Sequence, residues 1–231
     1  MQKTVLFYGG RGGGKMQKGS VLELGHMISY LPIPSTNSRA GNLERVKEWQ
    51  CTWFHREIRK NYRCFSQLCF YLECLSKLAP VQENNQGHEE TYQGLFATLS
   101  NAVVQLDRIS INPPNSILSY QLAFFLAKIL INLGLCPPLD LCVLSSSPLM
   151  NNSRVTLYND QGGFGISSDN DDDTHLLHFI ADVSKTNYSA IKETEGIGPS
   201  VAKKLFEFLC YQYNLNRIDF RTNEIFQQFP N

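Results

Sequence analysis

Residues 115–143 (NSILSYQLAFFLAKILINLGLCPPLDLCV) constrain this 231-residue chain more than any other stretch. Apolar side chains recur here at nearly every position, so no single stripe faces a core. A helix of that kind is buried on all sides. Asn115 or Ser116 is the expected N-cap, and Gly134 the expected stop. A Pro137-Pro138 turn follows, and then Leu139, Asp140, Leu141 and Cys142. The apolar run from Leu122 to Leu135 is interrupted by Lys128 and Asn132. A bilayer-spanning helix needs about 20 apolar residues, so this one is expected inside a protein core.

Other helices are marked by spacing. Phe65, Leu68, Cys69 and Leu72 stand at i, i+3, i+4 and i+7, which predicts a helix over 62–78 ended by Pro80. Tyr92, Leu95, Phe96, Leu99, Val103 and Leu106 predict a second over 89–106, broken by Pro113-Pro114. Stretches 174–185, 198–213 and 222–229 are also helical in pattern. The first 55 residues differ. Thr4–Tyr8, Ser20–Leu31 and Leu43–Phe54 have strand character, with Leu43, Arg45, Lys47 and Trp49 expected on one face and Val46, Glu48 and Gln50 on the other. Residues 144–173 hold no sustained period and are expected to be loop with a weak hairpin. Strands first and helices after give an α+β chain in two modules, 1–55 and 56–231, the second with an irregular insertion at about 144–173.

Charge follows the same division. Residues 1–63 hold eleven Lys and Arg against four acids, a balance of +7, and residues 64–231 carry −7. A basic module beside an acidic one predicts a polyanion partner for the first, because cationic side chains displace the counterions of a phosphate backbone. Phe7, Tyr8, Tyr30, Trp49, Trp53 and Phe54 are interleaved with the cations. Most of these rings are expected in the core, and at most one of the two tryptophans exposed; an exposed ring beside a cationic groove can stack on bases. The seven cysteines are odd in number and form no CxxC pair. They are expected to be reduced, and with no secretory signal pattern at the start the expected place is the cytoplasm.

Three further features carry chemistry. Gly9 to Lys15 matches G-x-x-x-x-G-K, but Met16 stands where a hydroxyl should hold magnesium, and strand character follows where a helix is required. A nucleotide-binding enzyme and a plain glycine loop both remain open for it. Gly196-Ile197-Gly198-Pro199, followed by Lys203 and Lys204, resembles a helix-hairpin-helix phosphate contact, or equally the end of one helix and the start of the next. The five histidines (26, 55, 88, 175, 178) are scattered along the chain, so no catalytic constellation is expected; His175 and His178, on a helix near acids, read as a solvated face more readily than as metal ligands, and Asp169–Asp173 lacks the glycine and glutamate of a calcium loop.

The order of these elements resembles the bacterial recombination mediator family RecO. Leu133-Gly134-Leu135, the proline pair, Leu139-Asp140 and Cys142 match the turn that follows that family's apolar helix. Gly10-Arg11, residues 20–24 and Leu43-Glu44-Arg45-Val46-Lys47-Glu48 stand at the places of its basic loop and two of its strands, and 203–226 at its last helices. The resemblance implies an N-terminal OB-fold, here without its first strands, ahead of a helical domain. It implies a non-enzymatic protein of DNA repair and homologous recombination, associated with the nucleoid. Such proteins bind single- and double-stranded DNA, anneal complementary strands, and contact RecR and the C-terminal tail of single-stranded DNA-binding protein, so that RecA loads. Arg11, Lys15, Lys18, Arg39, Arg45, Lys47, Arg56, Arg59, Lys60 and Arg63 would hold the phosphates. Many members carry a four-cysteine zinc site. Only Cys142 stands at such a position here, with Ser145 where its partner would be, so neither zinc nor another cofactor is expected.

Overall fold

The computed structural model describes residues 4–6, 23–33, 43–79, 89–149, 154–167, 172–188 and 198–227. Within them the chain is mixed α+β. Strands β1 (Thr4–Leu6), β2 (Met27–Ile33) and β3 (Leu43–Trp53) precede helices α1 (Tyr62–Leu78), α2 (Glu89–Ile109) and α3 (Asn115–Asn132). A hairpin of β4 (Val155–Tyr158) and β5 (Gly163–Ile166) follows, then α4 (Thr174–Lys185) and α5 (Pro199–Gln212). Short 3-10 turns lie at Ile58–Lys60, Arg217–Asp219 and Asn223–Gln227, the last where 222–229 is read as helical.

Helix α3 is the centre of the molecule. Every residue from Leu118 to Ala127 is buried, as expected of a helix apolar on all sides. Its N-cap is Pro114 rather than Asn115 or Ser116, and no side chain caps it. Proline suits this position, since the terminal N–H it lacks has no intrahelical acceptor to lose. At the other end Gly134 has φ +70, Leu135 N–H donates to Leu130 C=O at 2.8 Å, and Gly134 N–H donates to Ile131 C=O at 3.1 Å. Those two bonds close the helix in a Schellman motif and turn the chain into the proline pair. Helix α5 ends the same way around Asn214, at φ 51. There Leu215 N–H donates to Cys210 C=O at 2.9 Å and Asn214 N–H to Tyr211 C=O at 3.0 Å.

Around α3 the packing is largely aromatic. Tyr71 of α1 stacks on Phe125 with centroids 3.9 Å apart, and Phe124 meets Tyr188 edge-on at 4.7 Å. Phe70, Phe206, Phe220 and Phe226 form a second group that holds the C-terminal residues against α1 and α5. The Glu73 carboxylate fastens the same segment, accepting the Arg221 and Thr222 N–H groups, both at 2.9 Å, and the Thr222 hydroxyl at 2.6 Å. Burial alone would raise the pKa of Glu73, but these donors, and Lys77 nearby, hold it below the usual range. Buried Asp173 ties the β4–β5 hairpin to the helices. It accepts the Leu157 N–H at 3.0 Å and pairs with Lys204 of α5.

The N-terminal sheet has the order β1-β3-β2, with β1 parallel and β2 antiparallel to β3. Two corrections to the sequence pattern arise here. Of the stretch Ser20–Leu31, residues 20–22 lie outside the described residues, and 23–26 are not strand: Gly25, at φ +83, folds them into a turn closed by His26 N–H to Glu23 C=O at 3.2 Å, so β2 begins at Met27. Strict alternation along β3 also fails. Leu31 pairs with Glu48 but Pro32 pairs with Val46, so Lys47 is the extra residue of a bulge. The bulge shifts the phase by one. Val46 is therefore buried although Glu48 and Gln50, in the same sequence phase, are exposed.

Candidate nucleic-acid interface

Strand β3 delivers the chain to the junction with α1, and that junction is built around a single carboxylate. Asp107 of α2 accepts the backbone N–H groups of Arg56, Glu57 and Ile58 through one oxygen, at 3.0, 2.8 and 3.1 Å. These groups open the 3-10 turn and have no acceptor within it. Ile58 is wholly buried beneath the turn. Asn61 then caps α1 by accepting from the Arg63 and Cys64 N–H groups. With the backbone pinned on both sides, Arg56, Arg59, Lys60 and Tyr62 present their side chains outward.

The ten expected phosphate-holding residues divide into three groups. Arg11, Lys15, Lys18 and Arg39 lie outside the described residues, as does the whole Gly9–Lys15 loop. Arg45 and Lys47 are placed by their backbone on β3, on either side of Val46, with Lys47 at the bulge. Arg56, Arg59, Lys60 and Arg63 gather at the junction. The first three are exposed and Arg63 is half-buried. The Arg56 guanidinium sits 5.2 Å from the Phe54 ring centroid. Arg59 pairs with Glu23 at 2.6 Å, Lys60 with Glu57 at 2.8 Å, and Arg63 donates to Asn115. Surface pairs of this kind are worth under about 1 kcal/mol, so an incoming phosphate can displace the carboxylates.

Two aromatic rings flank these cations. Phe54 is 46% exposed and Tyr62 is 76% exposed. Tyr62 escapes the sequence pattern, because as the first residue of α1 it reads as part of an amphipathic helix. Trp49 and Trp53 are both half-buried, and Trp53 packs against the core.

No family model matches this chain, and no curated protein matches it. Among the described residues no helix is long and apolar enough to cross a membrane.

A second grouping was not visible in sequence. His26 and His55, far apart in the chain, have ring centroids 4.8 Å apart, and Glu23 lies beside them. The expectation that the histidines are scattered is therefore corrected: the Glu23–His26 turn folds onto His55 at the end of β3, and a contact across 29 residues leaves no local period. A weak signal existed in the Glu-x-x-His spacing with glycine between. His175 and His178 are exposed on α4.

Elsewhere, the candidate hairpin contact is described only from Gly198, which precedes α5 with Pro199 in its first turn. Lys204 there is committed to Asp173. In the segment between α3 and β4, Cys142 is 2% exposed and its sulfur accepts the Ile166 N–H of β5 at 3.4 Å. A side-chain hydrogen bond with Ser145 and the N–H of Ile166, acting against burial, bring its thiol down to about 7.

Proposed function

We infer that this chain is a non-enzymatic DNA-binding protein, a recombination mediator of the RecO type. The observation that carries this reading is the pairing of exposed cations with exposed rings at the β3–α1 junction. Arg56, Arg59 and Lys60 stand between Phe54 and Tyr62, next to a strand that carries Arg45 and Lys47. A cationic track with rings on which bases stack is how single strands are held without sequence readout. Phosphate contacts give affinity through counterion release, and each stacked base adds about 1–3 kcal/mol.

The described β1-β3-β2 sheet is taken as part of an OB-type module that lacks the first of the five strands of a whole OB-fold. The acidic helical unit then serves as scaffold and partner surface. Contacts with RecR and with the acidic tail of single-stranded DNA-binding protein, and indirect assistance to RecA at the nucleoid, belong to the same proposal and rest on the resemblance set out above. For the tail, a cavity of about 360 Å³ beside Thr98, Lys128, Asn132 and Tyr188 offers one cation and several amide donors.

The test is binding of a labelled single-stranded oligonucleotide. The unaltered chain should bind it. Arg45→Ala with Lys47→Ala, and separately Phe54→Ala, should weaken it. Equal affinity in all three proteins, or no binding by the first, would remove the proposal.

A further inference from the structure

Glu23, His26 and His55 offer one ligand atom each, and the three atoms lie within 4.8 Å of one another. The geometry is fixed by the fold. Gly25 takes the positive φ that closes the turn, and the turn rests on α1, where Leu68 lies 2.9 Å from the place a Cβ would occupy. His55 is 3% exposed. Its Nε2 lies 2.8 Å from the carbonyl oxygen of Leu24, in the middle of that turn. A carbonyl can only accept, so Nε2 carries a proton, and in the neutral ring Nδ1 holds the lone pair. Nδ1 is buried and has no hydrogen-bond partner. An imidazole that donates one N–H to a backbone carbonyl and keeps the other nitrogen bare is in the tautomer and orientation of a metal ligand.

The carboxylate is arranged in the same way. Glu23 Oε1 accepts from Arg59 at 2.6 Å, while Oε2 faces the His26 ring, 4.0 Å from Nε2. One oxygen is thus held from outside by a guanidinium and the other is turned inward. A buried lone pair with no partner is destabilising, and an aromatic pair packed for its own sake would not need one.

We propose that Glu23, His26 and His55 form a binding site for a divalent transition-metal ion of the zinc class. Two imidazoles and one carboxylate are a ligand set zinc accepts, with water in the fourth position. Soft, four-sulfur chemistry is not involved, since every cysteine of the chain lies outside the group. Calcium and magnesium are disfavoured, because both require oxygen ligands in larger number. None of the three ligands is among the cations of the DNA reading. Arg59 has a role in both, but as a positioning residue here it holds Glu23 without touching the ion.

The experiment uses the full chain, stripped with a chelator and titrated with Zn²⁺ against a chromogenic competitor. Binding of one equivalent is expected, with affinity reduced at least tenfold in Glu23→Gln and in His26→Gln. Glu23 is at the surface, so its variant should fold, and circular dichroism of each variant checks this. Titration with Co²⁺ should give a ligand-field spectrum without sulfur charge-transfer bands. Absence of tight binding, unchanged affinity in both variants, or a thiolate spectrum would overturn the proposal.

Discussion

Replacing Asp107 with alanine should loosen the joint between the strand module and the helices more than any other single surface change near it. Three backbone N–H groups share one of its oxygens, at 2.8–3.1 Å. A hydrogen bond to a charged acceptor is worth about 1.5–3 kcal/mol, but three on one oxygen do not add in full. Arg56 is exposed and water can take over its N–H, whereas Ile58 is buried and its N–H would be left without a partner. The expected cost is therefore about 2–4 kcal/mol, against a total stability of about 5–15 kcal/mol for a domain. Asp107→Asn keeps an acceptor and loses the charge, so about half that cost is expected. Urea unfolding followed by tryptophan fluorescence is a suitable assay, because Trp49 and Trp53 both lie on β3, on the far side of the joint. A loss below about 0.5 kcal/mol in Asp107→Ala, within the range of ordinary surface substitutions, would refute the reasoning.

Two further outcomes follow from local geometry. The Glu73 carboxyl is held below its ordinary value of 4.5, so its contribution is complete above that pH and is lost as pH falls through the lower, folded value. Glu73→Gln should thus cost about 1–2 kcal/mol at neutral pH, with the gap to the unaltered chain closing in acid; a gap independent of pH in paired urea melts would contradict this. Gly25→Ala should cost more than Gly134→Ala. Both sites have positive φ, worth about 1–2 kcal/mol for any side chain, but only Gly25 also meets Leu68, while nothing lies within 4 Å at Gly134. Equal thermal shifts in the two variants would show that the Leu68 contact is relieved freely.

Helices were the legible part of this sequence. The spacing of Phe65, Leu68 and Leu72 gave α1 its bounds, and Gly134 marked the Schellman stop of α3, because both signals are local. The β4–β5 hairpin was legible only as a weak one, as its strands are four residues each. What sequence did not carry was long-range. Alternation along β3 cannot announce the bulge at Lys47, since the extra residue is defined only by its pairing with β2. Asp107 reads as an ordinary polar position of α2, and its three donors come from 49–51 residues away. The Glu23–His26–His55 group was missed for the same reason. Of the expected cations, those at 56–63 could be located together because they are adjacent in sequence; their engagement with Glu23, Glu57 and Asn115 could not be foreseen.

The most direct test of a phosphate-binding surface in the first module is the salt dependence of single-stranded oligonucleotide affinity. Each phosphate contact contributes about 0.7 to the slope of log affinity against log salt. Removing Arg45 and Lys47 together should lower that slope by about 1.4 and weaken binding without regard to base sequence. An unaltered slope in the double variant, or an affinity indifferent to salt in the parent chain, would contradict the account.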